Sequence, residues 1–427
     1  MFGYRDKIQY KLEESIMVDC CSAPGLMPFA QALETMLAAI SPITEIENIT
    51  LSEGLGRVLS SGITSPINVP PHNNSAMDGY AFAQDSLVAQ RHLRLVGRSM
   101  AGQPYQGKCG QGECIRIMTG AKMPEGCDTV EMQENCQVEG ENVEFLAPRK
   151  KGDHVRYAGE DINQGHVVFA KGRRLSAIDI GVLASLGIND FEVFRKLNVA
   201  LIATGDELKS LGEPLGEGDI YESNSYALAG MLKNLNVNVI DFGVIADDEN
   251  AIKTAFIQAD EQADAVISSG GVSVGDADYT KLVLEQIGEI AFWKIAMKPG
   301  KPFAFGKLPN SLFFGLPGNP VSAMVTADLL ALPALMKLQN YQPTPTITLK
   351  AKTVTALRKS PGRMDFQRGV LSYDNDGVLL VNSTGSQGSG ILTSIASANC
   401  YIVLPAEQGR VSAGETVDVR LFERFFS

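Results

Sequence analysis

The chain has 427 residues, 44% of them hydrophobic and 20% charged, and a formal net charge of −12. At roughly 150 residues per domain this length makes about three domains, each able to bury a core, and the acidic balance argues against bulk attraction to nucleic acid or an anionic membrane. No apolar run in the sequence reaches the roughly 18 residues of a membrane helix and no signal-peptide core stands at the N-terminus, so a cytoplasmic location without membrane or nucleic-acid partners is expected.

In chain order, residues 1–26 form an extension of mixed charge ending in Pro24-Gly25, expected to be partly disordered. Phe29–Ile40 has helical periodicity and stops at Ser41-Pro42. Leu55–Leu59 resembles a second helix, and Pro66, Pro70 and Pro71 mark a boundary after it. Between about 67 and 150, short β-like runs such as Leu93–Val96, Cys114–Met118 and Thr129–Met132 alternate with Gly and Pro turns. The polar loop Asn73–Tyr80 can be a turn built on Asn and Gly, which accounts for Gly79 but gives no reason for Asp78. Thr119 can be a threonine bonding local backbone near a turn. The seven cysteines include no Cys-x-x-Cys, and Cys109, Cys114, Cys127 and Cys136 match no zinc spacing, so free thiols are expected there. Leu175–Gly187 is expected to be a helix with a glycine stop.

From Asn198 to Pro320 the pattern changes to strands alternating with helices. Val199–Ala203 runs into Thr204-Gly-Asp-Glu207, Val237–Ile245 into Asp247-Asp248, and Ala265–Ser269 into a glycine loop with Gly270, Gly271 and Gly275 before an expected helix Asp276–Ile287. A fourth strand, Ile290–Met297, is expected to end in Lys298-Pro-Gly-Lys-Pro302, with a hairpin Phe303–Leu316 leading to Pro317-Gly-Asn-Pro320 and a last helix ending at Gln339. This alternation predicts a doubly wound, mostly parallel α/β sheet with helices on both faces, and such sheets bind ligands at the carboxyl ends of their strands. Asp206, Glu207, Asp247, Asp276 and Asp278 would supply hard oxygen ligands for Mg²⁺. Lys294, Lys298 and Lys301 would face an anion, and the Gly270-Gly-Val-Ser273 loop would offer N–H groups to a phosphate. An Asp after a strand is also a common helix N-cap, which fits Asp247 or Asp248 equally well taken singly. Neither a Walker A nor a Gly-x-Gly-x-x-Gly after a strand is present. Residues 340–427 read as all-β: Thr346–Thr355, Phe366–Leu371, Val378–Ser383, Ala398–Leu404 and Glu415–Val419. Arg363, Arg368 and Ser389 are polar outliers there, and a surface arginine is as often a solvated face as a site.

Several ordered motifs make the pattern recognisable: Asn74-Ser-Ala-Met-Asp-Gly-Tyr-Ala81, Ile117-Met-Thr-Gly-Ala121, Gly159-Glu-Asp-Ile162, Thr204-Gly-Asp-Glu207, Ser269-Gly-Gly-Val-Ser-Val-Gly275, Lys298-Pro-Gly-Lys-Pro302 and Gly315-Leu-Pro-Gly-Asn-Pro320. From about residue 27 to the end the chain resembles the molybdopterin molybdenumtransferase family, to which the E domain of gephyrin is related. The resemblance implies Mg²⁺-dependent insertion of molybdate into adenylyl-molybdopterin with release of AMP. It also implies a multidomain α/β plus β fold: a discontinuous helical and mixed domain (27–66 with 151–196), a β-rich domain (67–150), the α/β molybdopterin-binding domain (197–338) and a C-terminal β barrel-like domain (339–427). The catalytic set it implies is Asp78, Thr119, Asp161, Glu207, Asp247, Asp278, Lys294, Lys298, Arg368 and Ser389. Thr204, Gly205, Asp206, Gly270, Gly271, Ser273, Lys301, Pro317 and Gly318 would bind substrate, and Glu207, Asp247 and Asp278 the metal.

Partners implied are a pterin substrate, a second copy of the chain forming a homodimer with shared sites, the molybdopterin adenylyltransferase and acceptor molybdoenzymes. Two departures stand out: His72-Asn73 replaces an apolar-acidic pair, and Tyr157-Ala158 precedes Gly-Glu-Asp where relatives often carry Arg. Two rivals remain at this level. The adenylyltransferase that makes the adenylylated pterin shares the 197–338 fold, but as one domain with Gly-Gly-Thr-Gly in its loop. A non-catalytic scaffold of the gephyrin kind would not need the carboxylates and lysines intact.

Overall fold

The computed structural model describes residues 26–89, 91–272, 279–343 and 345–422. The chain folds as two units: Glu47–Leu55 with Leu59–Val193, and Gly56–Val58 with Phe194 onward and the N-terminal residues up to Ile46. Apart from Leu26, the extension expected to be disordered lies outside the described residues, as do Ser273, Gly275, Asp276 and Asp278.

The first unit is built on a six-stranded sheet of β1 (Gly79–Phe82), β2 (His92–Ser99), β3 (Glu113–Ile117), β4 (Thr129–Met132), β5 (Cys136–Glu139) and β6 (Asn142–Phe145), ordered β4-β1-β3-β2-β6-β5. The three β-like runs expected from sequence fall in β2, β3 and β4. Gly79 has a packing reason, because a Cβ there would collide with the Glu131 carbonyl on the neighbouring strand. Helix α1 (Ala177–Ser185) starts where Ser176 accepts from the Asp179 N–H and Asp179 accepts in return, a reciprocal cap, and Gly187 at φ 71° ends it. The helix expected at Leu55–Leu59 does not form. Gly56 takes φ 75°, outside the helical region, and Leu59 bridges Val193 instead.

The second unit carries the α/β sheet: β7 (Asn198–Thr204), α2 (Asn224–Asn234), β8 (Asn238–Ile245), α3 (Glu249–Gln262), β9 (Ala265–Ser269), α4 (Tyr279–Ile287), β10 (Glu289–Lys294), β11 (Pro302–Lys307) and β12 (Leu312–Leu316). The sheet order is β8-β7-β9-β12-β11-β10. Strands β8, β7, β9 and β12 are parallel, and β11 runs antiparallel to both β12 and β10. Strand β10 therefore points the same way as the parallel four, and their carboxyl ends share one rim. Strands β9 and β12 are buried at every position, as expected of strands covered on both faces. The fourth strand stops at Lys294, short of the expected Met297. Met297–Lys298 leaves the sheet and pairs with Met364–Asp365 of the C-terminal region.

After β12 the chain forms α5 (Pro320–Thr326), a π-turn at Ala327–Ala331 and α6 (Leu332–Leu338). These 19 residues are long and apolar enough to span a membrane, contrary to expectation, but 89% of the window is buried inside the protein. They pack on the helix Phe29–Ala38 and the β7 and β12 side chains. A closed five-stranded barrel follows: β13 (Thr348–Thr353), β14 (Met364–Tyr373), β15 (Leu379–Ser383), β16 (Cys400–Leu404) and β17 (Thr416–Leu421), sealed by pairing of β14 with β16. Arg368, for which a solvated face and a site were equally open, is fully buried in this barrel.

Candidate active site

Strand β7 connects to β8 on one side while β9 lies on its other side, so the crevice between β7 and β9 is the point where strand order reverses. Three loops meet there at backbone contact. The Gly270 N–H donates to the Leu316 carbonyl at 3.1 Å. Gly270 and Gly271 adopt φ 96° and 61°, and a Cβ on Gly270 would strike the Thr204 carbonyl. Gly318 approaches so closely that a Cβ on it would lie 3.7 Å from the Gly270 Cα. Thr204, Gly205, Gly270, Gly271, Pro317 and Gly318 are thus brought together as expected.

Carboxylates gather on the next strand ends. The Asp247 N–H donates to Asp206 Oδ1 at 3.0 Å. Glu207 folds back over Gly205, its carboxylate within 3.0 Å of where a Gly205 Cβ would stand. Partial burial, and after it the nearby Asp206 and Glu207 carboxylates, hold the Asp247 carboxyl above the usual aspartate range. Asp248 is separate: its Oδ1 accepts the Ala251 N–H at 2.9 Å, so the cap reading holds for Asp248 and fails for Asp247. Lys294 ends β10 on this rim, and the Ile295 N–H donates to the Lys301 carbonyl at 3.0 Å, folding Lys298–Pro302 back beside it. Lys298 Nζ lies 3.7 Å from the carboxylate of Asp365, whose side chain is 4% exposed. Lys359, which sequence reasoning missed, sits near Lys298 and Arg363, and burial lowers its pKa.

The barrel residues divide by role. Arg368 Nε donates to Ser394 Oγ at 3.1 Å and Nη2 to the Gly388 carbonyl at 3.0 Å. It therefore anchors the 387–389 loop rather than facing solvent. The Ser389 carbonyl accepts the Val321 N–H at 3.0 Å, which fixes that loop against the start of α5.

In the other unit, Asp78 and Thr119 form a tight pair. Asp78 Oδ1 accepts from both the Thr119 N–H and hydroxyl at 2.7 Å, and these bonds, the backbone one first, hold its carboxyl below the usual range. Thr119 thus bonds a side chain, not local backbone. Asp161 lies exposed on a turn whose N–H donates to Val69, and no bond joins it to Asp78 or Thr119. The two departures meet, because Asn73 Oδ1 accepts the Ala158 N–H at 2.9 Å.

Asn224 is the residue sequence reasoning overlooked altogether. Its Nδ2 donates to Ser269 Oγ and to the Gly318 carbonyl, both at 2.8 Å. A lone Asn opening a helix reads as an ordinary terminus, so no local signal marks it.

Family models match most of the chain: the MoeA N-terminal region (domain I and II) over 27–187, the MoCF_biosynth molybdopterin binding domain over 200–337, and the MoeA C-terminal region (domain IV) over 350–422. A molybdopterin molybdenumtransferase of Haemophilus influenzae is 44% identical over 401 residues, spanning 93% of this chain and 99% of the relative. Gephyrin of Dictyostelium discoideum is 32% identical over 93% of this chain, which spans 62% of its length. The crystal structure of a molybdopterin biosynthesis moeA protein from Pyrococcus horikoshii OT3 superposes with TM-score 0.79 at 30% identity, covering 93% of this chain and all of that one.

Proposed function

The chain belongs to the molybdopterin molybdenumtransferase family, and from that premise we propose that it inserts molybdate into adenylyl-molybdopterin in a Mg²⁺-dependent step that releases AMP. The chain is a transferase of molybdenum cofactor biosynthesis. The observation that supports the Mg²⁺-dependent step is that Asp206, Glu207 and Asp247 neighbour one another beside the glycine loops at the strand-order reversal, with lysines on the same rim.

The donor set fits Mg²⁺. Partial burial, and after it the hard carboxylates of Asp206 and Glu207, make Asp247 hold its proton more tightly than usual. Among the described residues no three His, Cys, Asp or Glu side chains are grouped to enclose a metal. Mg²⁺ usually takes one or two carboxylates and fills its other positions with phosphate and water. Glu207 and Asp247 would hold it; Asp278, a further ligand by the family resemblance, lies outside the described residues. Bound there, Mg²⁺ would neutralise charge growing on the leaving phosphate.

The chain's own groups do the rest. With the Gly270 N–H spent on the Leu316 carbonyl, the Gly271 N–H and the charges of Lys294, Lys298 and Lys301 receive the phosphate and the incoming oxyanion. Arg368 holds the Ser389 loop against α5 and acts as a positioning residue. Asp78, Thr119 and Asp161 serve the site of a partner chain in a homodimer, as the family resemblance implies. The adenylyltransferase and acceptor molybdoenzymes would meet the chain before and after this step. The test is direct: purified protein, adenylyl-molybdopterin, molybdate and Mg²⁺ should release AMP and yield molybdenum-loaded cofactor. Absence of AMP, or pyrophosphate formed from ATP and molybdopterin instead, refutes the proposal.

A further inference from the structure

Resting on the proposed function, we infer that Asn224 is a positioning residue that holds the phosphate-receiving loops of this site in register. Gly270 after β9 and Gly318 after β12 meet through their backbones, a Cβ on Gly318 lying 3.7 Å from the Gly270 Cα. Beyond the Gly270 N–H to Leu316 carbonyl bond at the strand ends, a supporting hydrogen bond from outside the loops fixes the spacing of their tips. One carboxamide nitrogen does so, spending one proton on Ser269 Oγ and the other on the Gly318 carbonyl, each at 2.8 Å. These partners stand 45 and 94 residues further along the chain. Ser269 is 2% exposed and occupies the last position of β9, directly before Gly270.

The base from which Asn224 reaches is itself fixed. The buried Glu222 carboxylate accepts the Ser225 N–H at 2.8 Å, which sets the first turn of α2. The α2 residues Leu228, Met231 and Leu232 are buried in the main core. Asn224 thus transmits the rigidity of the core to the two loops. Without it, Ser269 and Gly318 lose their common side-chain anchor, and the Gly271 N–H loses its aim at a phosphate.

The experiment measures AMP affinity by calorimetric titration and AMP release from adenylyl-molybdopterin for wild type, Asn224→Asp, Asn224→Ala, Ser269→Ala and the Asn224→Ala/Ser269→Ala pair. Asn224→Asp keeps the shape and removes both donated protons. The expected result is an AMP Kd, and a KM for release, raised about tenfold in Asn224→Asp and Asn224→Ala, with kcat changed less than about threefold. The melting temperature should stay within about 2 °C of wild type. Acting through Ser269, Asn224→Ala should add little once Ser269→Ala is present. Should Asn224→Ala not fold, Asn224→Ser carries the same comparison. The inference is overturned if wild type binds and releases AMP and the Asn224 variants do so equally well, and the proposed function then stands. It is overturned also if melting falls while AMP affinity holds, or if the two substitutions add in full. If wild type neither binds nor releases AMP, the proposed function fails and takes the inference with it.

Discussion

Asp247→Asn tests the electrostatics of the rim most directly. The Asp247 backbone N–H, not its side chain, bonds Asp206, so the substitution leaves that bond in place and removes only charge. The Asp247 carboxyl is raised above the ordinary value near ~3.9, by partial burial and then by Asp206 and Glu207. A carboxyl whose pKa is higher in the folded chain than in the unfolded one weakens the fold as it ionises. The cost is absent below the unfolded value, grows as pH rises through the raised one, and is complete at neutral pH. Exposed charged pairs on a protein surface interact by a few tenths to about 1 kcal/mol each. Asp247 is exposed, so solvent reduces the total to about 0.5–1 kcal/mol.

Removing this charge should raise the melting temperature by about 1–2 °C near neutral pH at low salt. The gain should shrink with salt and vanish at a pH below the ordinary aspartate value. Added Mg²⁺ should stabilise wild type more than the variant, because the cation offsets the repulsion that Asn already lacks. Differential scanning calorimetry across pH, with and without Mg²⁺, reads all three effects, and AMP release should fall in the variant. A melting temperature lowered at neutral pH would show the carboxylate to be favourably paired and would refute the reasoning.

Two further outcomes follow from the same geometry, and a third from the proposed homodimer. Lys301→Ala should weaken AMP binding with melting unchanged to within ~0.5 kcal/mol, whereas Lys298→Ala should also cost about 1 kcal/mol, because it strips a cation from the buried Asp365; equal melting of the two variants would exclude Lys298 from that pair. Asp78→Asn should cut AMP release while the fold is retained at neutral pH, and its stability should approach wild type as pH falls through the lowered Asp78 pKa, a convergence that acid titration of the melting curve checks. Asp78→Ala and Glu207→Ala homodimers should each be nearly inactive, yet after dissociation and mixing about half the dimers are heterodimers with one intact site, restoring roughly a quarter of wild-type AMP release; no recovery in demonstrated heterodimers would place each site within one chain.

How far the sequence alone reaches depends on whether a feature is local. Strand ends marked by Thr204-Gly-Asp-Glu207, Ser269-Gly-Gly271 and Gly315-Leu-Pro-Gly318 were legible, because buried β-runs ending in glycine leave a parallel sheet few alternatives. The strands of the barrel were legible for the same reason, since alternation and turn residues are local signals. The helix at Leu55–Leu59 failed because its apolar spacing ignored Gly56, whose left-handed backbone turns Leu59 toward Val193.

What only the tertiary structure decided concerns partners distant in sequence. Asp247 and Asp248 are adjacent and alike, and their roles separate only because Asp206, brought up by β7, faces one and the start of α3 the other. Arg368 looks like any barrel-surface arginine until closure of the barrel buries it against Ser394 and Gly388. Asn224 carries no motif, since its two acceptors arrive from strands β9 and β12 once the sheet is ordered. Local pattern determines which elements form and where their loops fall; hydrogen bonds between those loops depend on strand order and burial, which no short stretch of residues encodes.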